Sequence, residues 1–177
     1  MTYRRHIGLA TLFALSQSAI AQETPPPIPC SEPEYRQMDF WVGDWDISWD
    51  DGQGGKATGT NTITQAPFGD CVITENFNGG TGPSALKGLS VSTFSKPHGV
   101  WRQTWVDNQG GYFALVGGPQ ADGTFVLDMV RLGDKGPYRR MVFEDITADS
   151  LTWRWQGRMT PEEDWTDQWV LDYKKKT

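Results

Sequence analysis

Metal-ligating side chains are scarce in this chain. Among 177 residues there are two histidines, His6 and His98, and two cysteines, Cys30 and Cys71. A zinc site draws three or four such ligands together, and His98 sits alone in a Pro97-His98-Gly99 turn. No metal and no cofactor is therefore expected. Basic charge is also short: 16 Lys and Arg stand against 22 Asp and Glu, a net charge of −6. Nucleic acids and anionic membrane surfaces are gripped by basic patches, so neither is an expected partner. The one basic run, Lys174-Lys175-Lys176, lies at the chain end and reads as a solvated tail. No stretch approaches the ~20 apolar residues of a membrane-crossing helix.

Familiar catalytic signatures are missing too. The glycine-rich stretch 78–84 lacks the Gly-Lys-Ser/Thr of a phosphate loop. Ser84 does not stand in a Gly-x-Ser-x-Gly elbow. Asp50-Asp51-Gly52 begins like a calcium loop, but Gln53, Gly54 and Gly55 offer too few oxygens. That segment is better read as a hairpin turn.

What is present begins with an export pattern. Arg4 and Arg5 precede a short apolar run from Leu9 to Ala19 and a small-x-small site, Ala19-Ile20-Ala21. This is the layout of a secretory signal peptide, residues 1–21. The expectation is cleavage near Ala21 and a periplasmic or secreted protein, with no membrane insertion afterwards. In an oxidising compartment Cys30 and Cys71 are expected to pair as a disulfide. Residues 22–33 carry four prolines before Cys30 and read as an extended tether. Residues 34–177 then form a single domain. Pro33 is expected to open a short helix running from Glu34 to about Phe40.

Beyond Phe40 the helix signals stop. Ten runs rich in β-branched and aromatic residues follow, near 45–49, 57–64, 71–77, 88–95, 101–107, 112–117, 124–131, 138–145, 151–159 and 165–173. Asp51-Gly52, Asn108-Gln109-Gly110-Gly111 and Asp122-Gly123 mark tight joints between them. Short joints make antiparallel neighbours. A long meander leaves sheet edges exposed unless it closes, so the predicted fold is all-β, an antiparallel up-and-down barrel of about ten strands. A two-sheet sandwich is the alternative. Alternation places Trp45, Ile47 and Trp49 on one side of the first run, and Leu151, Trp153 and Trp155 on one side of the ninth. The middle runs are mixed on both faces.

Tryptophan stands out. There are nine, and most fall two or four apart, sharing a face of a strand. Burial in a core explains them, because aromatics supply the largest buried area per residue; a stacking surface is the sharper reading. Trp101, Gln103, Trp105 and Asp107 share one side of the fifth run, and Glu75 shares a side with Ile73 and Phe77 in the third. Polar groups among aromatics on a covered face need a partner. The partner is either a ligand in a cavity with a few convergent polar groups or a hydrogen-bond network that fixes the barrel. The leading expectation is a binding protein for a small, largely apolar molecule, with Glu75, Trp101, Gln103, Trp105 and Asp107 as ligand contacts. The alternatives are an enzyme using Glu75 or Asp107 as a proton-transfer base, and a glycan platform built from Trp153-Arg154-Trp155 or from Trp165 and Trp169. No catalytic set is assigned.

Three segments carry a resemblance. They are Asp39-Phe40-Trp41-Val42-Gly43-Asp44-Trp45, Gly69-Asp70-Cys71-Val72-Ile73-Thr74-Glu75, and Gly99-Val100-Trp101-Arg102-Gln103-Thr104-Trp105-Val106-Asp107. Together with the end at 165–173 they resemble a bacterial domain-of-unknown-function family that looks like a relative of the calycin barrels, the lipocalins and fatty-acid carriers. The resemblance implies that Gly43 and Trp45, a Gly-x-Trp at the first strand, close one end of the barrel as structural residues. Haem-binding relatives use a strand histidine, which this chain lacks, so haem is not implied. The resemblance carries over no function.

Overall fold

The structure, a computed structural model, describes residues 28–66, 69–133 and 136–176. The expected signal peptide and residues 22–27 of the tether lie outside the described residues.

Ten antiparallel strands follow one another around a closed barrel. They are β1 (Gly43–Asp50), β2 (Lys56–Gln65), β3 (Val72–Asn78), β4 (Lys87–Ser95), β5 (Val100–Asp107), β6 (Tyr112–Pro119), β7 (Phe125–Met129), β8 (Tyr138–Glu144), β9 (Ser150–Arg158) and β10 (Thr166–Lys175). Each pairs with its neighbours in sequence, and β1 closes the ring against β10 through Trp45↔Lys175 and Ile47↔Tyr173. Closure removes the edges that the meander would otherwise expose.

Two of the hairpins share a local device. Asp51 Oδ1 accepts the backbone N–H groups of Gln53 and Gly55 at 2.8 and 2.9 Å. Asp107 Oδ1 does the same for Gln109 and Gly111 at 2.9 and 2.8 Å. An aspartate holding the amides two and four residues on is a turn built by its own side chain. Gly110, at φ +83°, supplies the left-handed residue that this turn needs.

One end of the barrel is capped. The expected short helix over 34–40 is present as two 3₁₀ turns, Pro33–Arg36 and Asp39–Trp41. The reason lies in the spacing of the apolar residues. Tyr35, Met38 and Trp41 recur every third residue, and three residues per turn is the 3₁₀ period, which puts them on one face. Met38 and Trp41 are fully buried in the barrel end. Phe40 packs on Phe125 and Phe143, and Trp41 meets Phe143 edge-on at 5.2 Å. Trp45 lies beneath this cap. Its Nε1 donates to the Trp41 carbonyl at 2.8 Å, its ring meets Tyr173 edge-on, and the Lys175 ammonium lies 5.3 Å from its centroid. Gly43, at φ +147°, lets the Lys175 stem pass, since a Cβ there would stand 2.7 Å from Lys175 Cε. A disulfide between Cys30 and Cys71 ties the segment before the cap to the start of β3.

Strand β4 is where apolar alternation misleads. Leu89 and Val91 point outward, 53% and 51% exposed, while Ser90 and Ser92 are buried. Two features fix this parity. The serines hydrogen-bond inward to Glu75 and Gln103, and Gly88 lies under the Trp105 ring. A Cβ at Gly88 would stand 2.1 Å from Trp105 Cζ2. Small residues face inward so that large ones from adjacent strands can lie across them.

Candidate functional site: an aromatic cavity at the open end

The interior is layered along the barrel axis. The capped end is filled by Met38, Trp41, Trp45, Trp101, Phe125 and Phe143. A polar tier crosses the middle, with Asn61, Glu75, Ser90, Ser92 and Gln103 all buried. Beyond it, toward the end where β3, β5 and β9 finish and β10 begins, is a cavity of about 230 Å³. A cavity of roughly 150 Å³ takes one benzene ring, so this one has room for a small aromatic molecule.

Aromatic rings form its walls. Trp153 and Trp155, two apart on β9, face inward with their planes parallel to within 6°. Trp169 of β10 stands perpendicular to Trp153 at 5.9 Å. Phe77 of β3 meets both Trp105 and Trp169 edge-on, at 5.9 and 5.8 Å. Phe113 of β6 leans on Trp155 at 5.5 Å. Strand alternation accounts for this: every second residue of β3, β5, β9 and β10 faces in, and near the open end those positions are aromatic.

Glu75 forms the floor. Its Oε1 accepts from Asn61 Nδ2 at 2.7 Å and its Oε2 from Ser90 Oγ at 2.5 Å. Asn61 Nδ2 also donates to the Tyr173 hydroxyl oxygen at 2.9 Å. No cation touches the carboxyl among the described residues. Burial therefore outweighs the two hydrogen bonds and pushes the Glu75 pKa up to about 7. Burial, with Glu75 adjacent, likewise drives the Tyr173 phenol well above its ordinary range. Two buried atoms of this tier, Asn61 Oδ1 and Gln103 Oε1, have no partner among the described residues, nor does Trp41 Nε1, which lies toward the Tyr173 hydroxyl without forming a full hydrogen bond.

Asp107 stands at the rim. Burial would raise its pKa, but the Trp105 indole and the Gly111 and Gln109 amides outweigh that and hold it below the usual carboxylate range. Trp105 Nε1 donates to its Oδ2 at 2.9 Å, so the rim turn also orients one wall of the cavity.

Of the five residues expected as ligand contacts, Glu75, Trp105 and Asp107 line this cavity. Trp101 and Gln103 lie deeper. Trp101 belongs to the capped end, where its Nε1 donates to Gln37 Oε1 at 3.1 Å. Gln103 Nε2 donates to Ser92 Oγ at 3.0 Å in the polar tier. The residues considered for an outer platform divide. Trp153, Trp155 and Trp169 face the cavity, whereas Arg154 points outward to Glu144 and Asp167. Trp165 is outside, held between Arg140 and Arg158, whose guanidinium carbons lie 4.2 and 4.3 Å from its ring centroid.

Sequence reasoning did not single out Asn61, Ser90 and Tyr173, the groups around Glu75. Parity from Ile63 would have placed Asn61 inward, and a Ser-x-Ser on a covered face marks a polar tier. Among the described residues no group of three or more His, Cys, Asp or Glu is gathered as metal ligands would be. No protein-family model matches the chain, and no curated protein matches it.

Proposed function

We propose that the protein is an exported carrier or sensor that holds one small, largely apolar molecule in the open end of its barrel. The observation that carries this reading is the cavity itself, with aromatic walls and a single buried carboxyl group at its floor. Apolar enclosure with a few placed polar groups is the usual form of a small-molecule site. The walls supply most of the binding surface, and Glu75 supplies orientation. The Cys30–Cys71 disulfide and the leader pattern at residues 1–21 support action outside the cytoplasm, where such crosslinks persist.

Native mass spectrometry of protein purified from its own host tests this. The expected spectrum carries one non-covalent adduct per chain, released on collisional heating. A bare chain mass under the same gentle conditions argues against a resident ligand.

A further inference from the structure

The chemical class of the ligand follows from the charges and rings around the cavity, given the small-molecule reading above. We propose that the cavity takes a planar organic cation bearing N–H donors, an aryl amidine or arylalkylamine by class, with its charged head on Glu75 and its ring between the indoles.

Three observations carry this. First, the two charged side chains on the cavity, Glu75 at the floor and Asp107 at the rim, are both acidic. The inward-facing cations lie elsewhere. Arg139 of β8 lies over Gly157 at the same open end but does not line the cavity. Lys175 of β10 is at the capped end, over Trp45. The strands flanking β3 turn no titratable group toward Glu75: β2 offers Asn61 and β4 offers Ser90. From β10 comes the Tyr173 phenol.

Second, Glu75 lines the cavity and is buried, with no counter-ion among the described residues. Its two oxygens accept only from the neutral Asn61 and Ser90 side chains. A buried charge without a partner is expensive, and a cationic donor in the cavity answers it through charge-assisted hydrogen bonds.

Third, Trp153, Trp155, Trp169 and Trp105 surround the space above the carboxyl. Indole faces are the strongest cation–π partners among side chains, more so where water is displaced. A neutral apolar ligand would use the same walls but leave the carboxyl unanswered. An anion would be repelled by it.

The test compares benzamidine, benzamide and benzoate, which share a ring and differ in head-group charge, by calorimetric titration at pH 8. The expected result is binding of benzamidine at least about tenfold tighter than benzamide, with benzoate weakest. That preference should fall as pH drops below about 7, where Glu75 takes up its proton, while benzamidine stays charged. In the Glu75→Gln variant the preference should collapse toward unity. The pH series on the unaltered protein stands even if the variant folds poorly. Equal binding of benzamidine and benzamide overturns the cation assignment and leaves the pocket reading intact, as does a preference that persists at pH 5. Failure of all three at millimolar concentration overturns both.

Discussion

Replacing Trp45 with alanine is expected to destabilise the protein by about 3–5 kcal/mol, the usual cost of emptying a buried aromatic site. Trp45 has no solvent exposure. Three kinds of contact end with its ring. The hydrogen bond from Nε1 to the Trp41 carbonyl holds the cap on the barrel, the edge contact with Tyr173 spans the β1–β10 seam, and the Lys175 ammonium lies over the ring. Alanine removes all of them at the place where the first and last strands meet. The melting temperature should fall by roughly 10 °C for a domain of this size. Chemical denaturation of Trp45→Ala beside Trp155→Ala makes the measurement specific. Trp155 is only partly buried and borders space that is already empty, so its loss should cost distinctly less. Equal, small losses at both positions would mean that the cap and seam are not held as described.

The Glu75→Gln variant should gain stability relative to the unaltered protein as pH rises, by roughly 3 kcal/mol between pH 4.5 and 8. The sign follows from the direction of the shift. In the unfolded chain Glu75 gives up its proton near 4.5, and in the barrel it keeps it until about 7. The group's contribution is therefore fully present below pH 4.5 and is lost as pH rises through 7. Glutamine has the same shape and no charge to bury. Its amide oxygen can accept from Asn61, and the Ser90 hydroxyl can turn to accept from its NH2 group. Comparing the two proteins by urea denaturation at several pH values cancels the other shifted carboxyls, such as Asp39 and Asp128, which burial raises. A stability difference that does not change with pH would show that Glu75 titrates normally and is not desolvated.

These effects rest on features that the sequence exposes unequally. Strand existence is legible because turn chemistry and β-branched runs are local signals, and all ten expected strands are present. Closure follows from the meander, since an open sheet of that length would leave two edges bare. The inward sides of β1 and β9 are legible because tryptophan alternates with polar residues there. Strand β4 is not, because its parity is set by partners on other strands: Glu75 needs Ser90, and Trp105 needs the bare backbone of Gly88. Local hydrophobicity would turn Leu89 and Val91 inward. The cap is half legible. Proline at its start and apolar residues at every third place are visible, but the barrel end that they enter is not.

The candidate site shows the same division. Glu75, Trp105 and Asp107 can be read as inward from alternation alone. How deep each lies cannot, because depth depends on the register between strands. The pairing Ser92↔Gln103 beside Ser90↔Trp105 sets Gln103 one layer below the cavity, and Phe94↔Trp101 sets Trp101 two layers below. Alternation fixes a face, whereas layer position needs the closed barrel.

The most direct test of the aromatic cavity as a ligand site is a titration with N-phenyl-1-naphthylamine, an uncharged dye that brightens in apolar surroundings, with excitation of tryptophan. Saturation at one dye per chain is expected, with loss of indole emission matched by gain of dye emission, because Trp105, Trp153, Trp155 and Trp169 surround the site. A response that rises without saturating, or one with no transfer from tryptophan, would contradict it and mean that the interior is closed to ligands.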